Sequence, residues 1–328
     1  MKVLVTGGGG FLGLRLARAL LERGALTGFS GKPEPLARLT LLDLAFPDER
    51  PRDSRLVLVE GDLAERAVLE RALEADTASV FHLAAAVSGA AEADFDLGMR
   101  VNLDGTRLLL ERLRHLARPA RLVYASSVAA FGGALPPVLN DATTPTPQTS
   151  YGTQKVIGEH LVADYTRRGF LDGRSLRLPA IVVRPGRPNA AASSFASSLI
   201  REPLAGCAAL CPVPPETRVW LLSPARATEA FIHAHELEGS AWPASRVVNL
   251  PGISVTVSEM LATLARLAGP QVASRVDWTP DERVRAIVRT WPVRFETPRA
   301  LAMGFRADPD FESVVRAYAA EQGIRLAA

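Results

Sequence analysis

Tyr151 and Lys155 stand four positions apart in the stretch SYGTQK. On a helix that spacing puts both side chains on one face, a single turn apart. A free phenol titrates near ~10 and is a poor base at neutral pH, but a neighbouring ammonium stabilises the phenolate. Such a pair can take a proton from a hydroxyl. Lysine is otherwise scarce, occurring only at positions 2, 32 and 155 in an arginine-rich chain. The plainer reading, a helix start that happens to carry a lysine, has to be weighed against what precedes it.

A second constellation lies at the other end of the alternating region. KVLV at residues 2–5 is a short apolar run, and TGGGGFLG follows it with Gly7, Gly10 and Gly13 at GxxGxxG spacing. Phe11 and Leu12 then open FLGLRLARALLERG, whose apolar residues recur at helical spacing up to Gly24. Glycines at a strand-to-helix turn let the chain turn sharply and let a pyrophosphate approach the backbone. The helix start offers amides and partial positive charge to the phosphates. This is the pattern of a dinucleotide cradle. Asp43 ends the second apolar run, LTLLDL, where a carboxylate accepts hydrogen bonds from a ribose 2′-hydroxyl and repels a 2′-phosphate. NAD is therefore expected rather than NADP. Asp62 in EGDL, with Leu63 beside it, is a candidate contact for the adenine.

These residues must be positioned by a sheet. Apolar runs at 39–44, 55–63, 78–85 and 121–127 alternate with amphipathic segments such as AERAVLERALEA and VNLDGTRLLLERLRHLA, both read as helices. Strands alternating with helices imply a parallel sheet covered on both faces. SLRLPAIVVRPG at 175–186 reads as one further strand, after which the alternation stops. RVVNLPG at 246–252 returns as a strand, and Thr256 and Glu259 have capping-box spacing at the head of TVSEMLATLARLAG. The expected architecture is α/β, a Rossmann-type doubly wound parallel sheet with a smaller mixed α/β substrate-binding lobe. The boundary falls at 186/187, with residues 1–186 binding NAD, the strand near 246–252 rejoining them, and 187–328 forming most of the second lobe.

Taken in order, TGGGGFLG, GDL, FHLAA, VNLDGT, SS and YGTQK resemble the extended short-chain dehydrogenase/reductase family, the NAD-dependent epimerase/dehydratase group, over nearly the whole chain. The resemblance implies that Tyr151 transfers the proton, Lys155 supports it and binds the nicotinamide ribose, and Ser127 orients the substrate hydroxyl, with Ser126 as an alternative. It also implies that Asn102 fixes the active-site helix geometry, unless it is a simple helix cap, and that Ala84 and Ala85 run under the cofactor. His82, His233 and His235 read as structural.

The family holds several chemistries, so the fold alone does not choose among them. SSVAAFGG lacks the acidic pair of the family's dehydratases, and RLPAIVVRPGRPN lacks the asparagine of its nucleotide-sugar pockets. Long stretches, among them TPQTSYGTQKVIGEHLVADYTRRGFLDGRSLRLP and VVRPGRPNAAASSFASSLIREPLAG, are similar to a branch that oxidises the 2-hydroxyl of a four-carbon sugar acid with NAD. A carboxylate substrate calls for a cation, and Arg218 stands where the family places an arginine; an ion pair at the surface is its plainer reading. Ser88, Asn189 and Ser193 are candidates for the substrate hydroxyls. Rival readings are a nucleotide-sugar 4-epimerase, a dehydrogenase of another aldonate or uronate, and a non-catalytic NAD-sensing regulator, the last disfavoured by the intact Tyr/Lys pair.

Composition narrows the remaining classes. With 328 residues, 48% hydrophobic and 22% charged, and a net charge of only +3 without a basic stripe, neither disorder nor nucleic-acid binding is indicated. No apolar run reaches ~20 residues, so no membrane partner is expected and the cytoplasm is the default. Cys207 and Cys211, read as small buried or half-buried residues, have no zinc spacing around them. No metal is expected. A homodimer through the helices containing 101–117 and 153–168 is a possibility that the resemblance raises.

Overall fold

Strands such as KVLVT and TASVFH carry apolar residues on both faces of the pleat, which is stable only where both faces are covered. The computed structural model, which describes residues 1–186 and 193–326, builds them into a seven-stranded sheet. Its strands, numbered along the chain, are β1 Lys2–Thr6, β2 Arg38–Asp43, β3 Leu56–Glu60, β4 Thr77–His82, β5 Arg121–Ser127, β6 Asp172–Leu178 and β7 Val247–Asn249. The spatial order is 3-2-1-4-5-6-7. β1 runs parallel to both β2 and β4, and the β2–β3, β4–β5 and β6–β7 pairs are parallel too. The switch of strand order at β1 is where such sheets bind ligands, beyond the carboxyl ends of the strands. Leu4, Val80, Leu122 and Tyr124 from the sheet pack with Leu109, Leu110, Leu113 and Val162 from the helices in one buried core.

Contacts divide the chain into two compact units. Met1–Ala130, Thr149–Arg177 and Thr228–Asn249 make the first, and Phe131–Gln148, Leu178–Ala227 and Leu250–Ala328 the second. Three segments group otherwise than a boundary at 186/187 divides them. Residues 131–148 and 178–186 group with the second unit, while 228–249 rejoin the first, where β7 extends the sheet beside β6. The second unit has its own three-stranded sheet, with Arg218–Leu222 between Ala180–Ile181 (parallel) and Ile253–Thr256 (antiparallel). Phe195, Leu199, Leu221, Met260, Leu264 and Val315 form its core. The capping box is present as read: Thr256 Oγ1 accepts from the Glu259 amide at 3.1 Å, and Glu259 Oε2 from the Thr256 amide at 2.7 Å.

Three expectations need correction. The run SLRLPAIVVRPG is not one strand but two short ones, Asp172–Leu178 and Ala180–Ile181, in different sheets. Pro179 lies between them, and a residue without an amide hydrogen cannot continue a ladder. The segment 101–117 is not a uniform α-helix: Met99–Gly105 forms a wider π-helical turn before the α-helix Thr106–Arg114. Here the Thr106 hydroxyl bonds back to the Asn102 carbonyl at 2.7 Å, so a side chain replaces regular backbone pairing. Cys207 is exposed, while Cys211 is buried. The connector containing GKPEP makes a small hairpin of Ala25–Thr27 and Pro33–Pro35. Glu236 anchors it by accepting from the Thr27 amide at 3.1 Å and the Thr27 hydroxyl at 2.8 Å.

Candidate active site

The helix Ser150–Arg167 starts where the Thr149 hydroxyl accepts from the Gly152 amide at 3.0 Å. That cap fixes the register that puts Tyr151 and Lys155 on one face. Gly158, a turn further on, lets the helix close on β5: a Cβ there would lie 2.4 Å from Tyr124 Oη. Lys155 is consequently buried at 2% exposure. Its ammonium donates to the Ala125 carbonyl at 2.8 Å, lies 4.9 Å from the centre of the Tyr124 ring and 5.6 Å from that of Tyr151. Burial brings its pKa down to about 8, against the upward pull of Glu159. A lysine so placed is charged at neutral pH and close enough to favour a phenolate at Tyr151.

The two serines at the end of β5 have different surroundings. Ser126 is buried and donates to Glu159 Oε1 at 2.5 Å. Glu159 is also held by a two-pronged contact from Arg177, Nε to Oε1 at 2.8 Å and Nη2 to Oε2 at 2.6 Å. Ser127 is half-buried at the strand's carboxyl end, its hydroxyl accepting from the Ala129 amide at 3.1 Å. A hydroxyl oxygen that accepts one bond still has a proton to give. The Ser126 hydroxyl has spent its own on Glu159.

At the carboxyl end of β1 the glycine turn has little room for side chains. A Cβ on Gly7 (φ +71°) would meet the Ala84 amide nitrogen at 2.7 Å, and one on Gly13 the Gly7 carbonyl at 2.0 Å. Gly7 and Gly8 donate to the Leu42 carbonyl at 2.9 and 3.1 Å. Asp43 Oδ2 accepts from the amides of Gly9 (2.9 Å) and Gly10 (3.1 Å), so the carboxylate is fixed at the lip of the turn. The helix begins at Phe11 on an N-cap glycine with no side chain to cap it, and the Phe11 and Leu12 amides have no acceptor within the helix. A cradle with amides presented, Cβ atoms excluded and a carboxylate beside it fits a dinucleotide.

Further along this edge, Asp62 pairs with Arg100 and accepts from the Ala64 amide at 2.8 Å. Although burial opposes it, these two bonds hold its carboxyl below the usual range. Leu63 is buried with Gly105 next to its side chain. Asn102 is no helix cap. From inside the π-helical turn its side chain accepts from the Ala86 amide at 2.8 Å, donates to the Ala86 carbonyl at 3.1 Å and donates to Gln154 Oε1 at 2.8 Å. It therefore ties the segment after β4 to the residue preceding Lys155. His82 is fully buried between Thr6 and Thr106, at 2.6 and 2.9 Å. The Thr106 hydroxyl gives its proton to the Asn102 carbonyl, so it accepts from His82 Nε2–H, leaving Nδ1 to accept from Thr6. Burial, with Lys155 adding to it, drives the His82 pKa down to about 3. His235 is likewise buried, against Ser79 at 2.7 Å, with a pKa of about 4 set mainly by burial.

Ser88 opens the short helix Ser88–Ala93 in the first unit. In the second unit Ser193 accepts from Arg184 Nη2 at 3.3 Å, and Arg218 donates to the Ser254 carbonyl at 3.2 Å with Glu259 at 3.7 Å. Asn189 lies outside the described residues. Sequence reading passed over Glu159, Arg177 and Gln154. Glu159 had a signal, since it follows Lys155 by four and Tyr151 by eight and so shares their face.

Comparison with known proteins places these features among relatives. The profile of the NAD dependent epimerase/dehydratase family matches residues 3–235. The chain is 57% identical over 324 residues to the D-erythronate dehydrogenase of Cupriavidus necator, covering 99% of each. It is 42% identical over 318 residues to the D-erythronate dehydrogenase of Haemophilus influenzae, covering 97% of this chain and 98% of that enzyme. Among solved structures, the nucleoside-diphosphate-sugar epimerase from Agrobacterium tumefaciens matches with a TM-score of 0.90 at 38% identity, over 98% of this chain and 94% of that one.

Proposed function

The chain belongs to the NAD dependent epimerase/dehydratase family, and on that premise we propose that it oxidises the 2-hydroxyl of D-erythronate to 2-dehydro-D-erythronate. It is an NAD-dependent dehydrogenase acting on a CH–OH group. The observation that carries the substrate is the 57% identity to a D-erythronate dehydrogenase over 99% of both chains. A small acid rather than a nucleotide sugar also accords with the missing asparagine in RLPAIVVRPGRPN.

Bound NAD supplies the acceptor for the hydride that leaves C2. The Ser127 hydroxyl orients the substrate's C2 hydroxyl, and Tyr151, as phenolate, takes its proton. Lys155, fixed on the Ala125 carbonyl, provides the positive charge that makes the phenolate available near neutral pH. A 2-keto acid results. Gly7, Gly10, Phe11, Leu12 and Gly13 hold the pyrophosphate, Asp43 the adenosine ribose, and Asp62, Leu63 and Ala84 the adenine side and underside of the cofactor. Asn102 keeps the active-site helix in register. Ser88, Ser193 and Asn189 are assigned to substrate hydroxyls and Arg218 to the carboxylate. The same reading puts the enzyme in the cytoplasm; among the described residues no helix is long and apolar enough to cross a membrane.

The likeness to a nucleoside-diphosphate-sugar epimerase at 38% identity favours a second reading, a 4-epimerase that retains its cofactor between half-reactions. A panel of four- to six-carbon aldonates and uronates, set beside UDP-sugars, separates the two. D-erythronate is expected to exceed five- and six-carbon acids in kcat/KM by about tenfold or more, each surplus carbon being worth ~1–3 kcal/mol in a fitted pocket. A six-carbon acid or UDP-sugar turning over best would reassign the substrate.

A further inference from the structure

A lysine ammonium at 2% exposure is an expensive charge to keep. The groups that face it come from four elements. Its own helix supplies Tyr151 and Glu159, β5 supplies the Ala125 carbonyl and the Tyr124 ring, and His82 acts on it from β4. Arg177 reaches in from β6 to Glu159. The carbonyl and the ring face are neutral acceptors, and burial keeps His82 neutral near pH 7. Of these groups only Glu159 is a carboxylate, one helical turn beyond Lys155 on the same face.

Glu159 is held by three hydrogen bonds. Both of its oxygens are engaged by the Arg177 fork, and Ser126 adds a third bond to Oε1. Two-pronged arginine pairing fixes a carboxylate in orientation as well as in place. Arg177 is itself steadied by Asn249 Oδ1, 3.4 Å from its Nη1. The network accounts for both serines of the SS pair: one faces the reaction, the other secures this carboxylate.

We propose that Glu159, fixed by Ser126 and Arg177, is a positioning residue whose charge keeps buried Lys155 protonated and thereby keeps the Tyr151 phenolate available. The inference rests on the Tyr151–Lys155 proton-transfer reading above. Removing the carboxylate makes loss of the lysine proton easier, so the proton leaves Lys155 in place of Tyr151. The pair then holds a neutral lysine and a neutral phenol, which is the wrong tautomer for accepting a proton from substrate.

The chain has three lysines, so lysine labelled with carbon-13 at Cε reads each one by NMR in the full protein free of nucleotide. Lys155 is expected to titrate with a midpoint of about 8, apart from Lys2, whose pKa is raised by Asp76 and Glu74. In Glu159→Gln the Lys155 midpoint should fall by about one pH unit, a tenfold change in its proton affinity. Turnover should fall by about tenfold at pH 7 while KM for NAD stays put. Because the amide leaves the buried Arg177 charge without its carboxylate, Glu159→Met combined with Arg177→Met is the companion variant; losing the Arg177 charge opposes the effect of losing Glu159, so the midpoint should fall in the same direction but by less. An unchanged Lys155 midpoint in the folded variants would overturn the assignment. The outcomes are separable: failure of the wild type to oxidise D-erythronate sinks the substrate reading and leaves the titration standing. An unmoved midpoint in an enzyme that does oxidise it sinks this proposal alone.

Discussion

Replacing Tyr151 by phenylalanine is expected to lower kcat by roughly 10²–10⁴-fold, the usual worth of a positioned proton-transfer group. The ring stays, so packing in the helix Ser150–Arg167 and the neighbourhood of Lys155, 5.6 Å from the ring centre, are preserved. Only the ionisable oxygen is lost. A group that acts in the transition state shows itself as a fall in kcat and kcat/KM together, with little change in substrate KM. NAD affinity, followed by protein fluorescence, should remain within a few-fold of wild type, since the cradle is built from other residues. Full turnover in Tyr151→Phe would remove Tyr151 from the chemistry.

The other large effect is expected at Gly13. A methyl group there would sit 2.0 Å from the Gly7 carbonyl oxygen and 2.7 Å from the Gly8 Cα, both backbone atoms of the turn that would hold pyrophosphate. No rotamer relieves a clash between a Cβ and backbone, so the helix Phe11–Arg23 must move off the turn or the turn must open. Overpacking of this kind costs ~1–3 kcal/mol in stability, occasionally more. The displacement falls on the Phe11 and Leu12 amides, so NAD affinity should drop by at least tenfold, about 1.4 kcal/mol. Thermal melting and NAD titration of Gly13→Ala read the two consequences separately. A variant with wild-type melting and NAD affinity would show that the turn is not the tight cradle described.

Much of the first unit was legible because its determinants are local. β1, β4 and β5 are apolar on both faces, the glycines sit at the first strand-to-helix turn, and the Tyr/Lys spacing is a helical one. Other features depend on partners distant in sequence. Nothing in SLRLPAIVV says that residues on either side of Pro179 pair with different sheets; that depends on β7, some seventy residues later, and on Arg218–Leu222. The turn at 99–105 has the apolar periodicity of an α-helix, and the bonds that accompany its widening, Thr106 to the Asn102 carbonyl and Asn102 to Ala86 and Gln154, include partners outside the turn. Adjacent serines on a strand point to opposite faces, yet on a strand covered from both sides the pattern does not say which face meets the reaction. Ser126 is engaged by the Glu159–Arg177 pair, which no local pattern foretells, because Arg177 looks from the sequence like one more polar residue interrupting a strand.

The dehydrogenase reading differs from its epimerase rival in what becomes of the reduced cofactor, and that can be watched directly. Purified protein mixed with D-erythronate and excess NAD should show steady growth of the NADH absorbance band, many equivalents per chain, with 2-dehydro-D-erythronate formed in equal amount. No growth, or a rise that stops within a single equivalent per chain, would contradict the account.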